Sequence, residues 1–371
     1  VPSHDVIEEL SALFVFLADT DLHGYSPIYE RLARSVADDG DLLGFIASAV
    51  SPSVRRGRVP VLFLAATHDA ALAHPESELA TIYGGGSDAD PYPALLALLA
   101  DQRDTVAATL ATRSVQTNEV GRCAALAPAI SHAMTRDHRP VALVEIGPSA
   151  GLNLFYDRYR VDYLVDHHDG GSHPQPAVGP ADSSVRLECS LRGDRVPPLA
   201  AAAAIVARTG VDPAPVDVTD PVQRRWLRAC IFPGVPRRAE VLDAAMDLLE
   251  STPPDLVRGD AVTDLARLVQ AQPADAVPVV VSTWAMAYIP AAGRQQIVDA
   301  LDEIGANRDL SLVTLEEPRF TPWLDVPTGL VADSGDGTIT ALGVRSWRGG
   351  QCSTQMLAMC HPHARWMRWM A

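Results

Sequence analysis

One acid, two glycines and a serine in close order carry the first chemistry suggested by this sequence. In the segment VALVEIGPSAGLN, from Val141 to Asn153, a short apolar run is followed by Glu145, Gly147, Ser149 and Gly151. An apolar run of that length ending in turn residues reads as a buried strand, and glycines just past its end let backbone approach a ligand closely. The segment therefore reads as a ligand turn in which Glu145, Gly147, Ser149, Gly151 and Asn153 hold a cofactor. A serine flanked by glycines on a tight turn also suits a nucleophile, so Ser149 offers a second, unrelated chemistry.

A second constellation lies upstream, RSVQTNEVGR at 113–122, a dense polar run between two apolar helical stretches. Polar density of this kind is costly in a helical core unless it is satisfied. Gln116, Asn118, Glu119 and Arg122 are read as the wall that holds a small-molecule substrate, with Glu119 as base and Arg122 as a clamp for an anionic group. The competing reading is an interdomain hydrogen-bond network or a solvated helix face. Further candidates are Asp212 in RTGVDP, Asp260 and Ala261 in VRGDA, and His68, Trp284 and Tyr288 on the substrate side. Each has a plainer alternative: a capping Asp, a satisfied core His, or aromatic packing. Glu188 in VRLECSL rivals Asp212, and Glu316-Glu317 comes after a strand-like run, where acids commonly cap or meet solvent. The tract Asp166 to His173 holds metal-ligand residue types without helical i, i+4 spacing or a nearby Cys pair, and reads as a solvated loop.

These residues need elements to position them. Residues 1 to about 135 read as helices, with apolar residues at helical spacing in Val6, Ile7, Leu10, Leu13, Phe14 and Leu17 and again in Leu95, Leu96, Leu99, Val106 and Leu110. From Pro140 short β-rich runs alternate with amphipathic helices, the pattern of a mostly parallel sheet with helices on both faces. The predicted strands are Val141–Ile146, a run near Ile205–Val211, Asp255–Val257, Val277–Ser282 and Leu310–Leu315; Ala291 to Ile304 is the best helix. The glycine turn is expected to open a helix, and residues 161–198 to form an insertion after it. Thr338–Trp347 and Ser353–Cys360 read as a terminal antiparallel hairpin. The expected division is a helical N-terminal domain, 1–135, closing over a Rossmann-like α/β domain, 136–371.

The ordered motifs resemble those of class I methyltransferases. VEIGPSAG is similar to that family's E/D-x-G-x-x-x-G turn, RTGVDP to the end of its second strand, and VRGDA to its segment beside the adenine. The resemblance implies S-adenosylmethionine as cofactor, with Asp212 on the ribose, Asp260 near the adenine, and O- or N-methylation of a small molecule. Asp212 lies about sixty residues past Gly151, where a compact dinucleotide-type unit has about 20, so this reading requires the insertion. Gly147-Pro148-Ser149-Ala150-Gly151 also resembles the G-x-S-x-G elbow of α/β-hydrolases, with His361 or His363 and Asp325 or Asp333 as partners. Against it stand an acid in the central strand and Pro148 before the nucleophile. Binding of the nucleoside cofactor without catalysis is a further alternative. Dinucleotide binding ranks last, because Ser149 occupies the second glycine's place. QTNEVGR, VEIGPSAGLNL, VRGDAV and HPHARWMRW together resemble an uncharacterised bacterial family, a domain of unknown function common in actinobacteria.

Composition narrows the classes. The 371 residues are 47% hydrophobic, enough for a sizeable core, with a formal net charge of −16 that argues against a nucleic-acid partner. All 30 basic side chains are Arg, which excludes lysine Schiff-base chemistry. Five scattered cysteines without C-x-x-C spacing argue against a disulfide framework and for a reducing cytoplasm. No run has the roughly 18 apolar residues of a membrane helix, and oligomeric state is not legible.

Overall fold

A computed structural model describes residues 3–116, 118–135, 137–165, 176–199, 203–235, 237–327 and 339–371. Its helices are α1 His4–Asp19, α2 Pro27–Ala37, α3 Gly40–Ala49, α4 Val59–Ala73, α5 Glu78–Tyr83, α6 Pro91–Thr112, α7 Cys123–Ala133, α8 Pro221–Ala229, α9 Arg238–Ser251, α10 Ala261–Gln270 and α11 Ala291–Gly305. Its strands are β1 Val141–Ile146, β2 Arg160–Val165, β3 Ala177–Val178, β4 Arg186–Leu191, β5 Ile205–Asp212, β6 Asp255–Arg258, β7 Val277–Thr283, β8 Leu310–Glu316, β9 Thr340–Arg348, β10 Gln351–Cys360 and β11 Trp366–Trp369. The chain forms two compact units, one of residues 1–117 with 218–243 and one of residues 118–217 with 244–371.

The first unit is helical. Leu10, Phe14, Leu17 and Ala18 are the buried face of α1, an i, i+4, i+7, i+8 stripe. Helix α4 is buried through most of its length, from Val59 to Ala71, so it runs through the interior of this unit. Helix α6 starts where the sequence sets a stop and a start together: Asp90 accepts from the Tyr92 amide, and Pro91 occupies the first turn.

The second unit is an α/β fold around an eleven-stranded sheet in the order β3-β2-β4-β11-β10-β9-β8-β7-β1-β5-β6. Strand β1 pairs in parallel with β5 on one side and β7 on the other, and β5–β6 and β7–β8 are parallel too. Numbered among themselves, these five strands read 3-2-1-4-5, the doubly wound order, with the reversal between β1 and β7. The sheet is thus loosely Rossmann-like. All residues of β1, β7 and β8 are buried, as covered parallel strands require. Strands β8, β9, β10 and β11 continue antiparallel, and the β9–β10 hairpin turns at Gly349 and Gly350, both at positive φ.

One expectation is corrected. The glycine turn does not open an α-helix; residues Leu152–Arg158 form a 3-10 run, and β2 begins two residues later. The physical reason lies in Leu152, Asn153, Leu154, Phe155 and Tyr156, all buried in succession, which leaves no polar stripe for a solvent-facing helix. The segment read as an insertion contributes strands to the sheet. Its described residues hold β2, β3 and β4, which join β11 and extend the sheet, with Leu187, Cys189 and Leu191 of β4 inward and Arg186, Glu188 and Ser190 outward.

The core between sheet and helices includes Val144, Val280, Leu312, Leu265, Ile297, Leu301 and Trp347. A Cβ on Gly305 at the end of α11 would overlap the Trp347 indole of β9. Gly305→Ala is therefore expected to lower stability by about 1–3 kcal/mol, as overpacking does; a melting temperature equal to wild type would show that the indole yields freely.

Candidate functional site

In doubly wound sheets ligands bind in a crevice outside the carboxyl ends of the strands where the order reverses, which here are the ends of β1 and β7. The glycine turn leaves β1 there. Gly147, Ser149 and Gly151 adopt φ of 66°, 53° and 80°, left-handed values that two glycines accommodate and a serine does not without strain. A Cβ at Gly147 would lie 2.9 Å from that of Ala285, and one at Gly151 would lie 2.7 Å from Pro254 Cγ. The turn's own donors close it. Gly147 N bonds Val211 O at 3.0 Å, Gly151 N bonds Pro148 O at 2.7 Å, and Ser149 N donates to Asp212 Oδ2 at 2.9 Å. These three amides are thus bonded within the protein.

Asp212 ends β5 and is buried. Its Oδ1 accepts from Ala214 N at 2.8 Å, so both oxygens fix backbone while the residue stays beside the turn. Glu188 lies on the exposed face of β4, six strands from β1 in the sheet order. Of the two rival acids, Asp212 is the one at the crevice.

Glu145 is buried in β1, opposite Gly210 and Val281. Its Oε1 accepts from Asn153 Nδ2 at 3.1 Å, and the same Nδ2 reaches Thr283 Oγ1 at 3.2 Å. Asn153 Oδ1 accepts from the Cys123 thiol at 3.4 Å. Glu316 ends β8 and is fully buried. Its Oε1 gathers Ser282 Oγ at 2.7 Å, Ala285 N at 2.9 Å and Met286 N at 3.2 Å, fastening the loop after β7. Among the described residues the second oxygens of Glu145 and Glu316 are buried without a hydrogen-bond partner. Burial pushes both carboxyls up to about 7, against the counter-effect of hydrogen bonds from Asn153 in one case and Ser282 in the other. Nearby Arg122 favours the charged form of each.

Arg122, also buried, donates from Nε to Pro362 O and from an Nη to Thr283 O, each at 3.1 Å, with its guanidinium carbon 5.9 Å from the Trp284 ring centre. Glu119 Oε1 accepts from Gly121 N at 3.2 Å, and its Oε2 lies 2.9 Å from His363 Nδ1. Asn118 Nδ2 reaches Pro148 O at 3.4 Å. Three of the four residues of the expected substrate wall thus gather with the glycine turn in the second unit. Gln116 belongs to the helical unit.

The other candidates scatter. Trp284, at φ 59°, is half-buried and donates to Thr340 Oγ1 at 3.2 Å, whereas Tyr288 is exposed. Asp260 caps α10 through the Val262 amide and is exposed, with Ala261 buried behind it. His68 is buried in the helical unit, 3.1 Å from Ala229 O and edge-on to Tyr83; burial depresses it to about 4. His361 stacks obliquely with His363, ring centres 5.5 Å apart, and Asp325 is exposed. Asp333 and the tract at 166–173 lie outside the described residues. Among the described residues no group of three or more His, Cys, Asp or Glu could hold a metal, and no helix is long and apolar enough to cross a membrane. Sequence reasoning marked the segment from Ser282 to Tyr288 after a strand but gave Ser282 and Thr283 no role, and it missed Cys123. Their only signal was position at strand ends or just inside a helix.

Comparison with protein families adds one finding. The model of the family described as an uncharacterized protein conserved in bacteria (DUF2332) matches residues 11–369. The chain belongs to the DUF2332 family. No curated protein matches it. The DUF2332 match spans the glycine turn, Asp212, Arg122 and His363 alike, so the crevice lies wholly inside the family region.

A carboxyl whose folded pKa is raised binds its proton more tightly folded than unfolded. The stability it contributes is full below its usual 4.5 and is lost as pH rises to about 7. Glu145→Gln and Glu316→Gln are each expected to remove up to about 3 kcal/mol of this loss between about pH 5 and about pH 8. Urea unfolding at both pH values checks it; an unchanged difference in either variant would mean that carboxyl is not desolvated.

Proposed function

We propose that the sheet unit binds S-adenosylmethionine in the crevice at the ends of β1, β5 and β7 and transfers its methyl group to a small molecule. The observation that carries this reading is the 2.9 Å hydrogen bond from Ser149 N to Asp212 Oδ2. It brings the turn of the E/D-x-G-x-x-x-G type and the acid at the end of the neighbouring strand together, although 63 positions separate them in sequence. In the reading by resemblance, Glu145 serves the amino-acid part of the cofactor, Asp212 the ribose and Asp260 the adenine side. When bound, the cofactor supplies a methyl on a sulfonium. The chain supplies position and dryness: Gly147 and Gly151 allow close approach, Asn153 orients Glu145, and Trp284 with Arg122 walls one side.

Ser149 at φ 53° supports a second reading, since a strained serine on a turn is the geometry of a nucleophile elbow. Two observations weigh against it. The turn leads into a 3-10 run instead of an α-helix, and Pro148 precedes the serine.

Calorimetric titration of the purified protein with S-adenosylmethionine and with S-adenosylhomocysteine tests the first reading. Both are expected to bind, and Gly147→Ala, whose Cβ meets Ala285 at a backbone angle that strains it, should weaken binding about tenfold or more. No heat with either ligand, together with labelling of Ser149 by a fluorophosphonate, would replace methyl transfer with hydrolysis.

A further inference from the structure

We propose that the sheet unit carries a second ligand site, distinct from the crevice, that takes a small monocarboxylate with an apolar body. Its basis is a cavity of about 670 Å³ beside the 3-10 run, lined in part by an arginine whose side-on pair of donors the protein leaves open. The volume is in the range of about 300–1,000 Å³ that small-molecule sites occupy. The proposal does not depend on the cofactor reading.

The cavity lies where distant strands of the sheet come together. Its apolar walls include Val178 of β3, Ile205 of β5 and Ala127 of α7, along with Leu199 and the ring of Tyr156. Strand β3 is first and β5 tenth in the strand order, so both reach one cavity only because the sheet twists back on itself. The cavity takes the amino-terminal half of β5, from Ile205 to Arg208, whereas the crevice takes its carboxyl end at Asp212. Ile205 and Asp212 stand about 20 Å apart at the roughly 3.3 Å per residue of a parallel strand. Tyr156 is 2% exposed, and its hydroxyl is buried with no hydrogen-bond partner among the described residues, a state that is rare in native folds.

Apolar walls alone would suit any hydrocarbon, and the charged residues narrow the class. Arg208 meets Asp157 end-on, Nη1 to Oδ1 at 2.7 Å and Nη2 to Oδ2 at 2.8 Å, and its Nη1 also donates to Leu154 O. Its guanidinium carbon stands 4.5 Å from the centre of the Phe155 ring. Three of the five N–H groups are thereby used. The two that remain, on Nε and Nη2, form by covalent geometry the side-on fork of the same plane, spaced for the two oxygens of a carboxylate. Among the described residues neither has a partner, and Nε is not sealed from solvent as the Nε of Arg345 is. Arg158, its side chain 62% exposed, places Nε 3.7 Å from Asp157 Oδ2 and adds a second cation to the lining. Two cations against one acid leave the cavity with a single positive charge, in a chain whose formal net charge is −16. A monoanion neutralises it. A polyanion adds surplus negative charge, and an uncharged hydrocarbon leaves the fork empty.

Calorimetric titration of the purified protein with decanoate and with decanol, its uncharged counterpart, tests the site. Decanoate is expected to bind, and decanol at least about tenfold more weakly. Ala127→Trp, which puts an indole at the cavity wall, should abolish the decanoate heat. Arg208→Lys, which keeps the charge without the fork, should weaken binding about tenfold; circular dichroism checks that both variants fold. No heat with decanoate, equal affinity for decanol, or decanoate affinity unchanged in either folded variant overturns the proposal. If either variant does not fold, Arg158→Gln at the exposed second cation decides: binding severalfold weaker upholds the site, and unchanged binding overturns it.

Discussion

Burying a carboxylate at the end of a central strand costs several kcal/mol unless its surroundings answer it, and the sheet unit does so twice. Glu145 and Glu316 lie in strands that are wholly buried, and Glu145 is the one polar side chain of β1. Most of the polar architecture at this end of the sheet is a response to them. Asn153 donates to Glu145 and to Thr283; Ser282 and the amides of Ala285 and Met286 donate to Glu316; Arg122 lies near enough to both acids to favour their charged forms. The response is incomplete, since one oxygen of each acid keeps no partner among the described residues. A fold selected for stability alone would place apolar residues at these strand ends, as it does at Val144 and Val280. Polar groups left half-answered in this way mark places where function is set against stability.

The elements that position the crevice were legible because their signals are local. Five short β-rich runs and the helix from Ala291 fall where the periodicity puts them, to within about two residues at either end, and the Gly349-Gly350 pair marks the hairpin. The conformation of the segment just past the glycine turn was not legible. A strand, a glycine turn and an apolar stretch predict a helix by analogy with doubly wound proteins, yet Leu152 to Tyr156 are buried without interruption, and only the tertiary environment reveals that. Strands β2 and β4 then pair with each other, and β4 pairs with β11, where Ser190 lies opposite Trp366. This non-local pairing also explains why Asp212 stands so far along the chain from the turn it fastens.

The candidate site divides in the same way. Glu145, Gly147, Ser149, Gly151 and Asn153 lie within one segment and could be proposed from spacing alone. The link between Arg122 and Pro362 spans 240 positions and that between Arg122 and Thr283 spans 161, so no sequence pattern announces them. The polar run at 113–122 was visible as an anomaly, but its partners were not. Asn118, Glu119 and Arg122 gain their meaning from three strand ends and a C-terminal turn that the fold brings to them.

The hydrogen bonding of the turn bears on what kind of ligand this crevice suits. A pyrophosphate is held by backbone amides that point outward from a glycine turn and by the positive end of a helix that the turn opens. Here three of the turn's amides, those of Gly147, Ser149 and Gly151, are engaged inside the protein, and a 3-10 run replaces the helix. The titratable side chains nearest the turn are acids, Glu145 and Asp212, and the buried guanidinium of Arg122 is bonded to two carbonyls. A turn whose amides are already bonded, with acids beside it, lacks the donors by which a glycine turn holds a polyanion.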